Sequence, residues 1–460
     1  MLGVVGILLS LALLMWLAFR GITVLVLAPL LAILAVLFNG DTRLLGLYTQ
    51  VFMTGLGGFL MKYFPLFLLG AIFGQLMRDS GSADVIARSI VNRLGGHRAV
   101  LALVLSCGIL TYGGISVFVV IFAAYPIGAA MFRRAGIPKR LIPAAGTLGA
   151  GTFTMTALPG TPSIQNAIPM PYFGTDLYAA PVLGIVAGTI MLVGGMFWLN
   201  REVRLAAARG EGYGDHPIDA AEPGEIAHPP ALVTALAPLV LVIGGNYLMT
   251  RFVIPAMNTE YLAEVRFGKV TLNDVRGLWS LIAAMAGAIA FTALLHRRRW
   301  ADLRGSINRG TMGSLLPIFN TASEVGYGTV VASLAGFAVI RDAMFAVAPG
   351  NPLVSEAIAV NVMAGITGSA SGGLGIALAA MGQSFQSMAA ATGVNPELLH
   401  RVAAIAAGGL DSLPHNGAVI TTLAICHLTH RESYREIFVT SVVVPLLALA
   451  VVLLAAPLFS

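Results

Sequence analysis

The chain has 460 residues, 57% of them hydrophobic and 10% charged, with a formal net charge of +6 and a mean hydropathy of +0.86. A soluble domain carries roughly 25% charged residues, so this composition excludes a water-exposed surface. The arginines fall in short loops between apolar runs, the positive-inside pattern of a membrane protein, which points to a lipid bilayer and away from nucleic acid.

A spanning helix needs about 20 mostly apolar residues. In chain order the candidate spans are 2–19, 22–38, 51–77, 98–132, 140–157, 177–199, 231–254, 277–295, 311–340, 353–392, 400–428 and 436–458. The first begins MLGVVGILLS without a basic n-region, which predicts a retained helix rather than a cleaved signal. Runs 98–132 and 353–392 are long and broken by glycines, so they are expected to enter the bilayer, turn and return. The result is an all-α polytopic fold with about ten full spans and two opposed re-entrant hairpins. Non-helical backbone at membrane depth is tolerated only inside protein or beside a wet cavity.

Loops 78–98, 133–140, 200–229, 296–309 and 429–435 hold most of the arginines and are assigned to the cytoplasm. Loops 39–50, 158–176, 256–276 and 341–352 fall outside, with both termini periplasmic. The Gly- and Pro-rich stretch 200–230 reads as a cytoplasmic linker. It separates a first repeat with N-terminal helices (1–199) from a second repeat with its preceding helices (231–460). His216 and His228 in this stretch read as solvated loop residues. Cys107 and Cys426 read as small packing residues in apolar segments.

The halves share weak text at a steady offset. YFPLFLLGAIFG around Pro65 and Gly74 matches LLPIFNTASEVG around Pro317 and Gly326. ILTYGGIS at Thr111 matches ITGSASGG at Thr367, and TALPGTPS at Pro159 matches DSLPHNGA at Pro414. The second copy starts on the opposite side of the bilayer, so this is an inverted-topology repeat, an architecture of secondary transporters with a midplane site.

Four segments interrupt helices: Thr111–Ser116, Leu158–Ser163, Thr367–Gly373 and Asp411–Gly417. Glycine permits the turns and proline ends the ladder. Freed N–H groups and half-helix dipoles suit an anion, and Ser and Thr add neutral donors. The expected substrate residues are Thr111, Tyr112, Gly113, Gly114, Ser116, Pro159, Gly160, Thr161, Thr367, Gly368, Ser369, Ser371, Gly372, Ser412 and Asn416. No arginine lies within these breaks, so a small carboxylate would be held by hydroxyls and amides.

Ionisable groups at membrane depth cost about 2.5–3.5 kcal/mol on insertion scales. Glu324, Asp411 and His415 are such groups and are the candidates for proton coupling, because a carboxyl in a dry site resists ionisation. Lys62, Asp342 and Glu356 lie nearer span ends and are expected at the interface. His427 and His430 read as an interfacial pair at the cytoplasmic edge. GGLGIALAAMG at Gly372 follows no strand and is not a dinucleotide motif. With no phosphate loop and no HExxH, no cofactor or metal is expected.

NTASEVGYG at 320–328, GSASGGLGIAL at 368–378 and LDSLPHNGAVIT at 410–421 resemble the gluconate permease (GntP) family of the ion transporter superfamily. The resemblance runs over nearly the whole chain. It implies proton-coupled uptake of a small organic acid across the bacterial inner membrane, a scaffold domain, a transport domain carrying both hairpins, elevator movement and a homodimer. Where the sugar-acid permeases have a PPHPGP-like string, this chain has TALPGTPSIQNAIP at 156–169. That form looks more like members carrying short hydroxy or keto acids such as 3-hydroxybutyrate. The alternatives left open are a sodium-coupled symporter or cation antiporter of the same fold, an intramembrane enzyme built on Asp411 and His415, and a receptor or structural membrane protein.

Overall fold

The computed structural model describes residues 2–20, 22–94, 98–216, 229–414 and 416–459. All regular structure among these residues is helical. The helices are α1 (Leu2–Phe19), α2 (Val24–Phe38), α3 (Leu44–Asp79), α4 (Ser82–Leu94), α5 (Ala99–Tyr112), α6 (Val117–Arg134), α7 (Ile142–Gly151) and α8 (Pro181–Ala208) in the first half. The second half has α9 (Leu232–Ala256), α10 (Leu272–Leu295), α11 (Leu303–Ser333), α12 (Ala335–Val347), α13 (Pro352–Thr367), α14 (Ala370–Thr392), α15 (Pro396–Ala407), α16 (Gly417–Ile425) and α17 (His430–Leu458).

Local chemistry sets the ends. Proline opens α8, α13 and α15 at Pro181, Pro352 and Pro396, where its missing N–H has no intrahelical partner to lose. Asn351, Asn395 and Asn416 cap helix starts by accepting from Val354 N, Glu397 N and Val419 N.

Both expected hairpins are present. Helices α5 and α6 join through Gly113–Ser116, with Gly128 against Leu103. Helices α13 and α14 join through Gly368 and Ser369, with Gly373 flush against the backbone of Ala364. These pairings are those of antiparallel arms. The second tip is shorter than expected. Ser371, Gly372 and Gly373 lie in the first turn of α14, because the Ser369 hydroxyl accepts from Gly372 N at 3.0 Å and starts the helix there. Thr111 and Tyr112 likewise close α5, and Thr367 closes α13.

Five helices among the described residues are long and apolar enough to cross a membrane, or six if one bent pair counts as a single span. The remaining apolar runs are shorter or broken helices, because hydropathy registers apolar residues whether or not the backbone is continuous. Run 311–340 is that bent pair: α11 ends at Ser333 and the next helix leaves at 94°. Leu334 is extended, and Gly336 N donates to Asn39 Oδ1 at 3.0 Å, which pins the corner to the end of α2.

The long helices α3 and α11 carry the matched prolines Pro65 and Pro317 and cross in antiparallel fashion. Gly326 lies against Phe52 O and beside Gly55, while Gly310 lies against Ile72. Glycine at these points lets the two backbones touch. The matched prolines therefore stand level with each other.

The loops expected on one side of the bilayer do gather. Arg140 bonds Glu436 at 2.6 Å and Glu211 at 2.7 Å, and Arg435 reaches the buried Glu202 at 3.4 Å. This unites loops 133–140, 200–229 and 429–435. Glu211 lies outside the spans, and its hydrogen bond to Arg140 holds its carboxyl below the usual range. Arg309 and Ser306 bond Asp79, joining loops 78–98 and 296–309. On the other side, Asp176 faces Arg276 at 3.6 Å and Arg251 at 4.0 Å.

Candidate functional site

Each hairpin tip is tied to the helix break of its own half. In the first half, Tyr112 donates its hydroxyl to Pro159 O at 2.8 Å, and Gly114 lies beside Pro162. Gly160 has a φ of 80° and packs against the Tyr178 ring and the Tyr112 hydroxyl. Gly113 packs on Leu239 of α9. Thr161 is fully buried and Thr111 nearly so, and neither hydroxyl has a hydrogen-bond partner. Ser116, which precedes α6, is exposed and caps nothing.

In the second half, Asn416 donates to Gly368 O at 2.9 Å while its Oδ1 caps α16. Gly368 has a φ of 61°, a left-handed turn that glycine adopts without strain. Thr367 donates to Met363 O at 2.9 Å. Ser371 and Thr321 of α11 pair at 3.3 Å. Any side chain at Gly372 would collide with the Glu324 carboxyl, so glycine there admits the acid to the start of α14. Glu324 is buried, and its Oε2 has no partner. Asp411 is buried with Ser412 donating to it at 3.1 Å. Tyr434 and His430 hold the Ser412 and Pro414 carbonyls of the same break. His415 lies outside the described residues.

The segments that lead into the two breaks meet. Thr156 lies against Gly408, and the Arg401 guanidinium reaches across from α15 to the first break. Arg401 is fully buried and makes five hydrogen bonds: to Ala179 O at 2.8 and 3.0 Å, Ala157 O at 3.1 Å, Asn166 Oδ1 at 3.2 Å and Leu177 O at 3.3 Å. Asn166 passes the connection on, donating to Thr161 O and Leu177 O at 3.0 Å each. His400 completes the cluster with Asn166 at 3.0 Å and Thr175 at 2.6 Å. Every partner of Arg401 is a neutral oxygen, so its charge sits beside the first break unneutralised by direct contact. Sequence reasoning, looking only inside the breaks, missed Arg401, His400 and Asn166. The usable signal was an adjacent His and Arg opening an apolar span.

The expected residues therefore divide. Tyr112, Thr367, Ser371 and Asn416 already make bonds that fix the tips. Thr111, Thr161 and Glu324 keep unpaired polar atoms inside the protein. Of the groups expected at the interface, Asp342 has a side chain 67% exposed and Lys62 is exposed. Glu356 lies one turn into α13 and is fully buried by protein. A cavity of about 240 Å³ lies elsewhere, between α1, α11, α13 and α14. Its apolar lining, including Leu11, Val331 and Ile376, offers a carboxylate nothing. Among the described residues no group of three His, Cys, Asp or Glu could hold a metal ion.

The profile described as GntP family permease matches residues 1–266. The chain is 43% identical over 452 residues to the uncharacterized transporter YxjC of Bacillus subtilis (strain 168), covering 95% of each chain. The chain belongs to the GntP permease family. A second relative of this permease, an uncharacterized transporter of Haemophilus influenzae, is 29% identical over 177 residues, 38% of this chain and 40% of that one. The crystal structure of the Alcanivorax borkumensis YdaH transporter, described as having an unusual topology, superposes with a TM-score of 0.55 over 91% of this permease and 90% of that chain. At 14% identity this likeness concerns the fold alone. The permease is thus a multi-pass transporter, with the bacterial inner membrane as its fitting location.

Proposed function

We propose that this permease imports a small organic carboxylate in symport with protons. The observation that carries the reading is the pair of buried hydroxyls without partners, Thr111 and Thr161, on the tip and break that share the Tyr112–Pro159 bond. A buried polar group without a partner is costly, and a bound carboxylate would satisfy both hydroxyls. The charge of Arg401, whose donors are spent on carbonyls, favours an anion nearby without clamping it. Tyr112 and Tyr178 crowd Gly160, which favours a short hydroxy or keto acid such as 3-hydroxybutyrate over a six-carbon sugar acid such as gluconate.

Glu324 and Asp411 are the proton carriers in this reading, with His415 a third candidate. Glu324 belongs to α11 and faces α14 across the boundary between the crossed helices α3 and α11 and the hairpin assembly. Elevator movement would slide the hairpins and breaks (transport domain) past α3 and α11 (scaffold), and the most direct use of that boundary would be to expose Glu324 to water. The repeats 1–199 and 231–460, joined by linker 200–230, supply one hairpin each, and a homodimer would anchor the scaffold.

The test is uptake by the purified permease in proteoliposomes, screened over C3–C6 hydroxy, keto and sugar acids with separate proton and sodium gradients. Accumulation of a C3–C4 acid driven by an inward proton gradient is expected. Accumulation driven by sodium alone would transfer the reading to the sodium-coupled alternative, and no uptake of any acid would remove it.

A further inference from the structure

Glu356 is used by neither tip nor break. It lies on α13, eleven residues before Thr367, which places it about 16 Å from the tip along the helix axis. It is fully buried, and neither carboxyl oxygen has a hydrogen-bond partner; the hydroxyl of the adjacent, buried Ser355 has none either. Residues 356, 360, 364 and 367 follow one helical stripe. The contact of Ala364 with Gly373 shows that this stripe faces α14, so the carboxyl lies between the arms of the hairpin.

No charged group compensates it from the helices packed on α13. Helices α1 and α14 carry no titratable residue. On α15, Glu397 accepts from Ala180 N, while His400 and Arg401 are committed to Thr175, Asn166 and the loop carbonyls. On α12, Arg341 and Asp342 pair with each other at the surface. An ionised carboxylate without donors is not tolerated in a protein interior, so Glu356 holds a proton in this conformation. A purely structural acid would have its hydrogen bonds made. This one has none, which fits a group that gives up its proton when the hairpin meets water.

We infer that Glu356 is a further proton-binding site of the transport cycle, separate from Glu324 and Asp411 and carried within the α13–α14 hairpin. The proton is taken from water on one side, held as the neutral acid in the closed state and returned to water on the other side, and no other group changes. A cation in its place would need several oxygens around it, whereas a proton needs one. The inference rests on the proton-symport reading.

The experiment measures the proton-to-substrate ratio of the full-length permease in proteoliposomes, from the potential at which flux reverses. Glu356→Gln, close in shape to the neutral acid, should lower the ratio by one proton while substrate still exchanges, and Glu356→Asp should keep it. A ratio unchanged in Glu356→Gln, or a sodium dependence lost with it, overturns the inference. Infrared spectra separate this from failure of the symport reading, since they need no substrate. A protonated-carboxyl carbonyl band that fades at alkaline pH and is missing in Glu356→Gln supports the site. A carboxyl band set that the substitution leaves intact, or a Glu356 band that never titrates, overturns it.

Discussion

Arg401 shows how a single side chain can hold unwound backbone inside a membrane. Its donors satisfy carbonyls at Ala157, Leu177 and Ala179 that no helix ladder serves. Arg401→Met would take these donors from Ala157 O and Ala179 O, while Leu177 O keeps Gly160 N and Asn166 Nδ2, and each acceptor left unpaired should cost about 1–3 kcal/mol. The check is thermal unfolding in detergent, where a sharply lower midpoint is expected; an unchanged midpoint would show that the break stands without the guanidinium. Thr161→Val is the opposite case. It removes a hydroxyl that bonds nothing in this conformation, so stability should hold. If that hydroxyl binds the carboxylate, KM should rise about tenfold or more, as for a hydrogen bond to a charged group. Concentration-dependent uptake reads this directly, and an unaltered KM would take Thr161 out of the site.

At the level of elements, what the sequence made legible was punctuation. The glycines and prolines at 113–114, 159–162, 368 and 414 marked both hairpins and both breaks, because these residues act on their own backbone. What stayed hidden was the length of each unwound piece and the partners across it. The first turn of α14 formed where a loop was expected, since the Ser369 cap decides the start and caps are local only once the turn exists. Glu356 stands near a span end as expected, but its burial there comes from packing across the chain, which no local pattern encodes. Likewise, Arg401 lay outside the breaks it serves, and no short motif encodes a contact over more than 220 residues. The tip itself yields a prediction: Asn416→Ala removes both the cap of α16 and the bond to Gly368 O. A cap alone is worth about 1 kcal/mol, so a modest fall in unfolding midpoint is expected, together with faster proteolysis or hydrogen exchange at residues 367–371. Unchanged exchange there would mean the tip is fixed by α13–α14 packing alone.

For the whole molecule, the decisive question is whether the hairpin assembly slides past α3 and α11. Thr321 on α11 and Ser371 on α14 sit 3.3 Å apart across that boundary. Cysteines at both positions, in a background without Cys107 and Cys426, should cross-link on oxidation. Elevator movement predicts that the cross-link stops uptake and that a reductant restores it. Full uptake by the oxidised protein would rule out sliding at this boundary.

The reach of Arg401 into the other half also bears on how such a chain is assembled. A fragment ending near residue 216 would contain the first break but no guanidinium to satisfy it, and a fragment beginning near residue 229 would bury a cation with no carbonyls to receive it. Neither piece satisfies its own buried polar groups. Produced separately they should be degraded, and produced together in one cell they should dock and recover uptake, with the arginine acting as the peg that fits one moiety to the other.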